Sequence, residues 1–234
     1  MDRPLPMLLC VAAPAECESV LAAFDAVGET TPGSRTVLRP PTESGPGVEL
    51  LATGVGPTAA GVSTAASLAD APASAVVSLG IAGAYPGSGI GVLKTVISTR
   101  SFLAGEGAAT PRAFIGLHAM GFGPFSGDDS AATSLELGAM LHSVSPLRGG
   151  IATVSAVSGT DELAAALEHR TAAIAEAMEG AAIHLACDRA GIPFAEVRVI
   201  SNIAGDRERH PWRLQEALKL LGPVAVRVAD AILS

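Results

Sequence analysis

Apolar residues fall along this chain in short unbroken runs separated by stretches at helical spacing, the pattern of strands buried on both faces alternating with helices. Residues 7–13 form the first run, ended by Pro14, and Val20, Leu21 and Phe24 then recur as on one face of a helix. A stretch rich in Gly, Pro and Ser over 28–47 predicts a loop enclosing a short strand at 36–39, with the next strand at 48–52. TGVGPTAAG leads into a helix over 57–68, with Pro57 in its first turn. Residues 75–79 predict a strand, and Gly80, Ile81, Ala82 and Gly83 a turn whose glycines let the backbone approach a ligand. After a strand at 94–99, the signal weakens over 102–148 to a single helix at 135–142. Residues 151–157 predict a strand, 161–169 a helix capped by Thr160, and 172–176 a short strand. A helix over 178–190 closes with Gly191 and Pro193, a strand follows at 194–200, and an amphipathic helix over 214–233 is interrupted at Gly222 and Pro223. Strands alternating with helices in this way predict an α/β fold, a single domain over 1–234 with a central mixed, largely parallel sheet flanked by helices.

A hydrophobic content of 49% in 234 residues is ample for one large core. The net charge of -8 and the lack of a basic cluster exclude nucleic acid as a partner, because binding phosphates needs Lys and Arg gathered on one face. The first apolar run is too short to span a membrane, and Glu16 and Glu18 stand where an export signal would be cleaved. Cys10, Cys17 and Cys187 are odd in number and lack CxxC spacing, so neither a disulfide framework nor a zinc site is expected. No metal is expected from the histidines either, which show no HExxH. A reduced, cytoplasmic enzyme without a membrane partner is the resulting expectation.

Residues 54–59 fit GxGxxA between a strand and a helix, which is a dinucleotide fingerprint. The ribose-binding acid that should end the next strand is replaced by Gly80, so these glycines read as a tight strand-to-helix turn and no cofactor is expected. No GxSxG is present for a seryl hydrolase. Carboxylates and amides remain. Glu16, Glu179, Asn202 and the 80–83 glycines all fall at carboxyl ends of predicted strands, the edge along which ligands bind in such sheets. They suit cleavage of a glycosidic bond through a cationic sugar: one carboxylate takes a proton from water, another holds ribose hydroxyls, and an amide holds the leaving base. Glu179 also reads as an ordinary first-turn acid favoured by the helix dipole.

MEGAAI at 178–183 and VRVISNIAGDR at 197–207, with SLGIAGAY and ATGVGPTAA upstream, resemble the purine nucleoside phosphorylase and nucleosidase superfamily, closest to its futalosine hydrolase branch. The resemblance runs over 8–104 and 150–220 and is weakest over 108–147. It implies a small-molecule nucleoside substrate and a homo-oligomer. It also implies Met178 beneath the ribose, Glu179 on the 2′ and 3′ hydroxyls, and Glu16 on the attacking water, with Glu18 close enough to leave that register open. The 80–83 segment is implied to line ribose and base, Ser158, Gly159 and Thr160 to close over the base, and Ser201 and Asn202 to hold it.

Adenine nucleosidases of that superfamily carry Ser-Asp where this chain has Ser201 and Asn202. An ionised aspartate would face the 6-oxo group of hypoxanthine acceptor against acceptor, whereas an amide can donate to O6 and accept from a protonated N7. A hypoxanthine-bearing nucleoside is therefore expected. Related phosphorylases place an arginine near the first strand's exit, where this chain has Ala15 and Glu16, so water rather than phosphate is the expected nucleophile. A benzoate on the substrate would want a two-pronged arginine, for which Arg207 is the first candidate, with Arg209 and Arg112 as others. Other nucleosidases or phosphorylases of the superfamily, such as methylthioadenosine/S-adenosylhomocysteine nucleosidase, remain alternatives, as does a catalytically inactive nucleoside-binding module. The pair Glu16 and Glu179 favours an enzyme.

Overall fold

The computed structural model describes residues 4–42 and 45–234; residues 43 and 44, part of the expected 28–47 loop, lie outside it, as do 1–3. Strand β1 (Met7–Val11) is buried at every position and therefore needs cover on both faces. Helices α1 (Pro14–Ala23) and α6 (Leu214–Leu233) supply it on one side, where Leu9 packs with Val20, Leu221 and Val228. Helices α2 (Pro57–Asp70) and α5 (Gly180–Ala190) supply it on the other, where Leu8 and Cys10 pack with Ala60, Ile183 and Cys187. All three cysteines are buried and unpaired.

On one flank β1 pairs in parallel with β3 (Val48–Ala52), whose outer edge carries the antiparallel β2 (Arg35–Arg39). On the other it pairs in parallel with β4 (Ala75–Ala84), followed by β11 (Phe194–Ile203), β5 (Thr95–Leu103), β9 (Arg148–Thr153) and β10 (Ala173–Ala177). Parallel and antiparallel pairings both occur, so the sheet is mixed. Strand β10 also pairs back onto β4, antiparallel, through Ala175 with Ala84 and Glu176 with Gly83. The five strands β4, β11, β5, β9 and β10 thus close on themselves, and the carboxyl end of β4 lies between β11 and β10.

Two expectations fail at this point. Gly80 to Gly83 form no turn but the second half of β4, in register with Arg198 to Asn202 of β11. The glycines are needed for room: a Cβ on Gly80 would press into Arg198 Nη1 and stand 2.9 Å from Glu16 Oε1, and one on Gly83 would stand 3.2 Å from Asn202 Nδ2. Strand β11 likewise continues beyond Ile200, its register shifting between Ile200 and Asn202, so Ser201 and Asn202 lie within the strand.

Helix α6 is unbroken, although Pro223 should cost about 3 kcal/mol in a helix interior. The packing explains why: a Cβ on Gly222 would meet Ser19 O and Ala23 Cβ, so α1 and α6 approach closely here and bury each other. The weakly patterned 102–148 region holds the hairpin β6 (Gly107–Ala109) and β7 (Phe114–Gly116), the short β8 (Ser130–Ala132) against β5, and α3 (Leu135–Met140). Helix α4 (Asp161–Thr171) is capped by Thr160, whose Oγ1 accepts from Leu163 N at 3.3 Å.

Candidate active site

Pro14 starts α1 directly after β1, which places Glu16 on the helix's inward face above the carboxyl edge of the sheet. Its Oε2 accepts from Ala13 N at 2.9 Å and its Oε1 from Ile81 N of β4 at 2.8 Å. Burial pushes its carboxyl above the usual range, against the pull of the Ala13 N–H and with the help of the nearby Glu179 charge. Glu18, two residues further round the helix, is exposed. Of the two, Glu16 is the acid that lines the cavity.

Glu179 is the N-cap of α5, which begins at Gly180 rather than at 178, because Glu179 O already accepts the first helical bonds from Ala182 N and Ile183 N. Its carboxylate accepts from Gly56 N at 3.2 Å through Oε1. Gly56 holds a φ of +92° in the turn before α2, and this is what the GxGxxA glycines do here: they aim an N–H at Glu179. The other oxygen of Glu179 faces Arg198 Nη1 at 3.5 Å.

Arg198 was not foreseen. It lies in β11 at 1% exposure, with Nε on Glu196 Oε1 at 3.0 Å and Nη2 donating to Ser78 Oγ at 2.9 Å. Glu196, fully buried, also accepts from Ser101 Oγ at 2.7 Å, and its carboxylate fills the space that a side chain at Gly180 would need. Isolated buried charges cost several kcal/mol each, so these groups persist only as a set. Burial works against the Arg198 cation, but the charges of Glu196, Glu179 and Glu16 outweigh it and hold its pKa above the ordinary value. Two opposite charges, two residues apart in an otherwise apolar strand, were the available sequence signal, since charges in such a strand must pair.

The cavity beside these groups has a volume of about 240 Å³ and is lined by Glu16, Ile81, Ala82, Gly83, Ser158, Met178, Glu179, Ser201 and Asn202, all expected from sequence. Glu176 and Trp212 line it too and were missed. Asn202 donates from Nδ2 to Ile203 O at 3.0 Å and accepts at Oδ1 from Ser201 Oγ at 2.8 Å. Glu176 accepts from Ser158 N at 2.7 Å and from Ser158 Oγ at 2.6 Å.

Other expected residues lie elsewhere. Gly80 sits beneath the cavity, under Glu16 and Arg198, rather than in its wall. Gly159 and Thr160 are exposed, because Thr160 is committed to capping α4. Arg207 is exposed outside the cavity, its guanidinium carbon 4.6 Å from the ring centroid of Trp212, which lines the mouth. Arg209 is engaged by Asp161 at 3.1 Å and Asp206 at 3.4 Å, and Arg112 lies in the β6–β7 connection away from the cavity. Among the described residues, every charged side chain in the cavity wall is an acid, namely Glu16, Glu176 and Glu179. The arrangement offers a general base, a carboxylate gripped from behind by a guanidinium, and an amide with fixed polarity.

Relatives share this frame. The chain is 36% identical over 217 residues to the futalosine hydrolase of Acidothermus cellulolyticus, covering 92% of this chain and 86% of that one. It is 35% identical over 234 residues to the futalosine hydrolase of Streptomyces coelicolor, covering 97% and 96%. Among solved structures, futalosine hydrolase of Helicobacter pylori superposes with a TM-score of 0.76 at 16% identity, over 97% of both chains. The 5′-methylthioadenosine/S-adenosylhomocysteine nucleosidase of S. pneumoniae also gives 0.76, at 19% identity over 97% and 98%. These two likenesses carry the fold. The family model described as the phosphorylase superfamily matches residues 7–234, and the chain belongs to that superfamily.

Proposed function

We propose that this protein is an N-ribosyl hydrolase that cleaves the glycosidic bond of futalosine, releasing hypoxanthine and dehypoxanthinyl futalosine in the futalosine route to menaquinone. The single observation that carries the reading is the convergence, in one cavity, of Glu16 and Glu179 with Asn202, an amide where adenine nucleosidases carry an acid. The likeness to futalosine hydrolases over nearly the whole chain supports it.

Glu16 takes a proton from water as the general base, a role worth roughly 10²–10⁴-fold. Glu179 binds the ribose 2′ and 3′ hydroxyls and favours the oxocarbenium charge, with Met178 beneath the ring. Arg198 pairs with Glu179 from behind and holds its carboxylate toward the sugar. Asn202 donates to O6 through the N–H that Ile203 O leaves free and accepts from protonated N7 at Oδ1. Ser158 and the β4 backbone over 81–83 complete the base and ribose walls. Water is favoured over phosphate as nucleophile because, among the described residues, the cavity wall has three acids and no Lys or Arg, and Arg198 is occupied by Glu196 and Glu179.

Arg207, stacked on Trp212 at the mouth, is free to turn its two-pronged edge to the benzoate, whereas Arg209 is already paired. A homo-oligomer through the exposed apolar face of α2, where Val62 is 66% exposed, and a cytoplasmic location in keeping with three unpaired cysteines complete the reading.

The test is incubation of the purified protein with futalosine, inosine and methylthioadenosine in phosphate-free buffer, with chromatography of the free bases. Hypoxanthine from futalosine is the expected result. Adenine from methylthioadenosine as the main product, or a ribose 1-phosphate-type product that forms only with added phosphate, would overturn it.

A further inference from the structure

We propose that Glu196 is a positioning residue: it tethers Arg198 from behind, keeps the guanidinium from closing onto Glu179, and so leaves the Glu179 carboxylate available to the ribose. The inference rests on the nucleosidase reading above. Residues i and i+2 of a strand share one face, so Glu196 and Arg198 of β11 project side by side. The Glu196 carboxylate lies where a Cβ on Gly180 would stand, so the residue directly after Glu179 has to be a glycine. Its Oε2 accepts from Ser101 Oγ of β5 at 2.7 Å and its Oε1 from Arg198 Nε at 3.0 Å, which fixes the carboxylate on two sides.

The guanidinium is held unequally by its neighbours. Its Nε donates to Glu196 at 3.0 Å and its Nη2 to Ser78 Oγ at 2.9 Å, both ordinary hydrogen-bond lengths. Nη1 stands 3.5 Å from Glu179 Oε2, within ion-pair range but too long for a good hydrogen bond. Glu179 is thus steadied by a charge that does not use up its oxygens. A carboxylate has about four acceptor sites, and among the described residues only Gly56 N, at 3.2 Å, takes one of them as a hydrogen bond. Arg198 is 1% exposed, and a buried cation must be met by a neighbouring charge. Burial opposes that cation, and of the charges that outweigh it Glu196 comes first, ahead of Glu179 and Glu16. Without the Glu196 charge the guanidinium is drawn onto Glu179 as a close, two-pronged pair that competes with the sugar hydroxyls. A neutral amide at 196 could accept the same Nε hydrogen bond, but it could not share the cation with Glu179.

The experiment compares kcat/KM for futalosine and for its 2′-deoxy counterpart in the wild type, E196Q and S101A, and follows the futalosine value against pH. Glutamine is close in shape to glutamate and keeps an acceptor for Arg198 Nε, so the substitution removes charge rather than fit. A hydroxyl held by a carboxylate is worth roughly tenfold or more, so the wild type should prefer futalosine over the 2′-deoxy substrate by that factor. In E196Q, with Glu179 taken up by Arg198, the preference should shrink by roughly tenfold, while the inhibition constant of free hypoxanthine stays unchanged. The acid limb of the pH profile should move to lower pH, because losing a nearby negative charge and bringing the Arg198 cation closer both favour ionised Glu16. Loss of activity by one common factor on both substrates, with the limb in place, would mean that Glu196 serves stability alone and would overturn the proposal. Should E196Q fail to fold, S101A decides: it frees one side of Glu196 and should shrink the same preference about threefold, and an unchanged preference overturns the idea. A wild type that leaves futalosine intact ends both readings, whereas an active wild type whose preference the variants leave unchanged ends this one alone.

Discussion

Glu16 owes its position to two backbone N–H groups from different elements, so the carboxylate is fixed before substrate arrives. Since burial raises its pKa above the ordinary 4.5, the proton stays on to a higher pH, and the ionised base appears only above that point. In a plot of kcat/KM against pH the acid limb should therefore have its midpoint above 4.5. E16Q should lower the rate by about 10²–10⁴-fold and abolish that limb, while E18Q should leave both near wild type. Arg207 acts at the mouth alone: R207A should raise KM for futalosine roughly tenfold and leave the inhibition constant of free hypoxanthine unchanged, a separation that steady-state kinetics would show or refute. Among these residues, Glu16, Glu179 and Asn202 were legible because each breaks an apolar pattern at a strand end. Arg198, Glu196 and Glu176 were not, because they lie inside strands, where the period of the pattern marks a residue as buried but not which partner satisfies it.

The elements were legible in proportion to how far local sequence alone determines them. Strands β1 and β3 appeared almost at their observed bounds, as uninterrupted apolar runs. Strand β4 was cut short because glycines break strands in isolation, yet here the side chains of Arg198 and Asn202 from β11 occupy the vacated space. Pairing across the sheet, invisible along the chain, overrode the local signal, as it did for the bulged end of β11. In α5, His184 is clamped between Phe125, with centroids 5.5 Å apart, and Phe194, at 4.3 Å, and its Nδ1 finds no partner among the described residues. Burial pulls its pKa down from 6.5 to about 4. The folded state thus holds it neutral while the unfolded chain takes up a proton, so the associated stability is complete above pH 6.5 and is lost as the pH falls toward 4. The loss amounts to at most about 3 kcal/mol. Melting temperatures of wild type and H184L across that window should diverge, the variant losing less on acidification; parallel curves would exclude His184 as the cause.

At the scale of the whole molecule, the site exists because the sheet closes. Glu16 follows β1, Glu176 lies near the end of β10 with Glu179 just beyond it, and Asn202 lies near the end of β11, and these meet only because β10 returns to pair with the end of β4. The alternation of strands and helices revealed the layers from sequence, but not this return, which depends on two residue pairs distant in the chain. The pattern over 102–148 revealed α3, expected over 135–142, but not the small hairpin, whose short segments bury too little to leave a periodic trace. The central claim is that the assembled cavity removes a 6-oxopurine because an amide, not an acid, stands at 202. It is tested most directly by the ratio of kcat/KM for futalosine to that for its 6-amino counterpart in wild type and N202D. Base contacts of this kind are worth about 1–3 kcal/mol, so the ratio should fall by tenfold or more in N202D, toward the 6-amino substrate. A ratio that does not change would contradict the account.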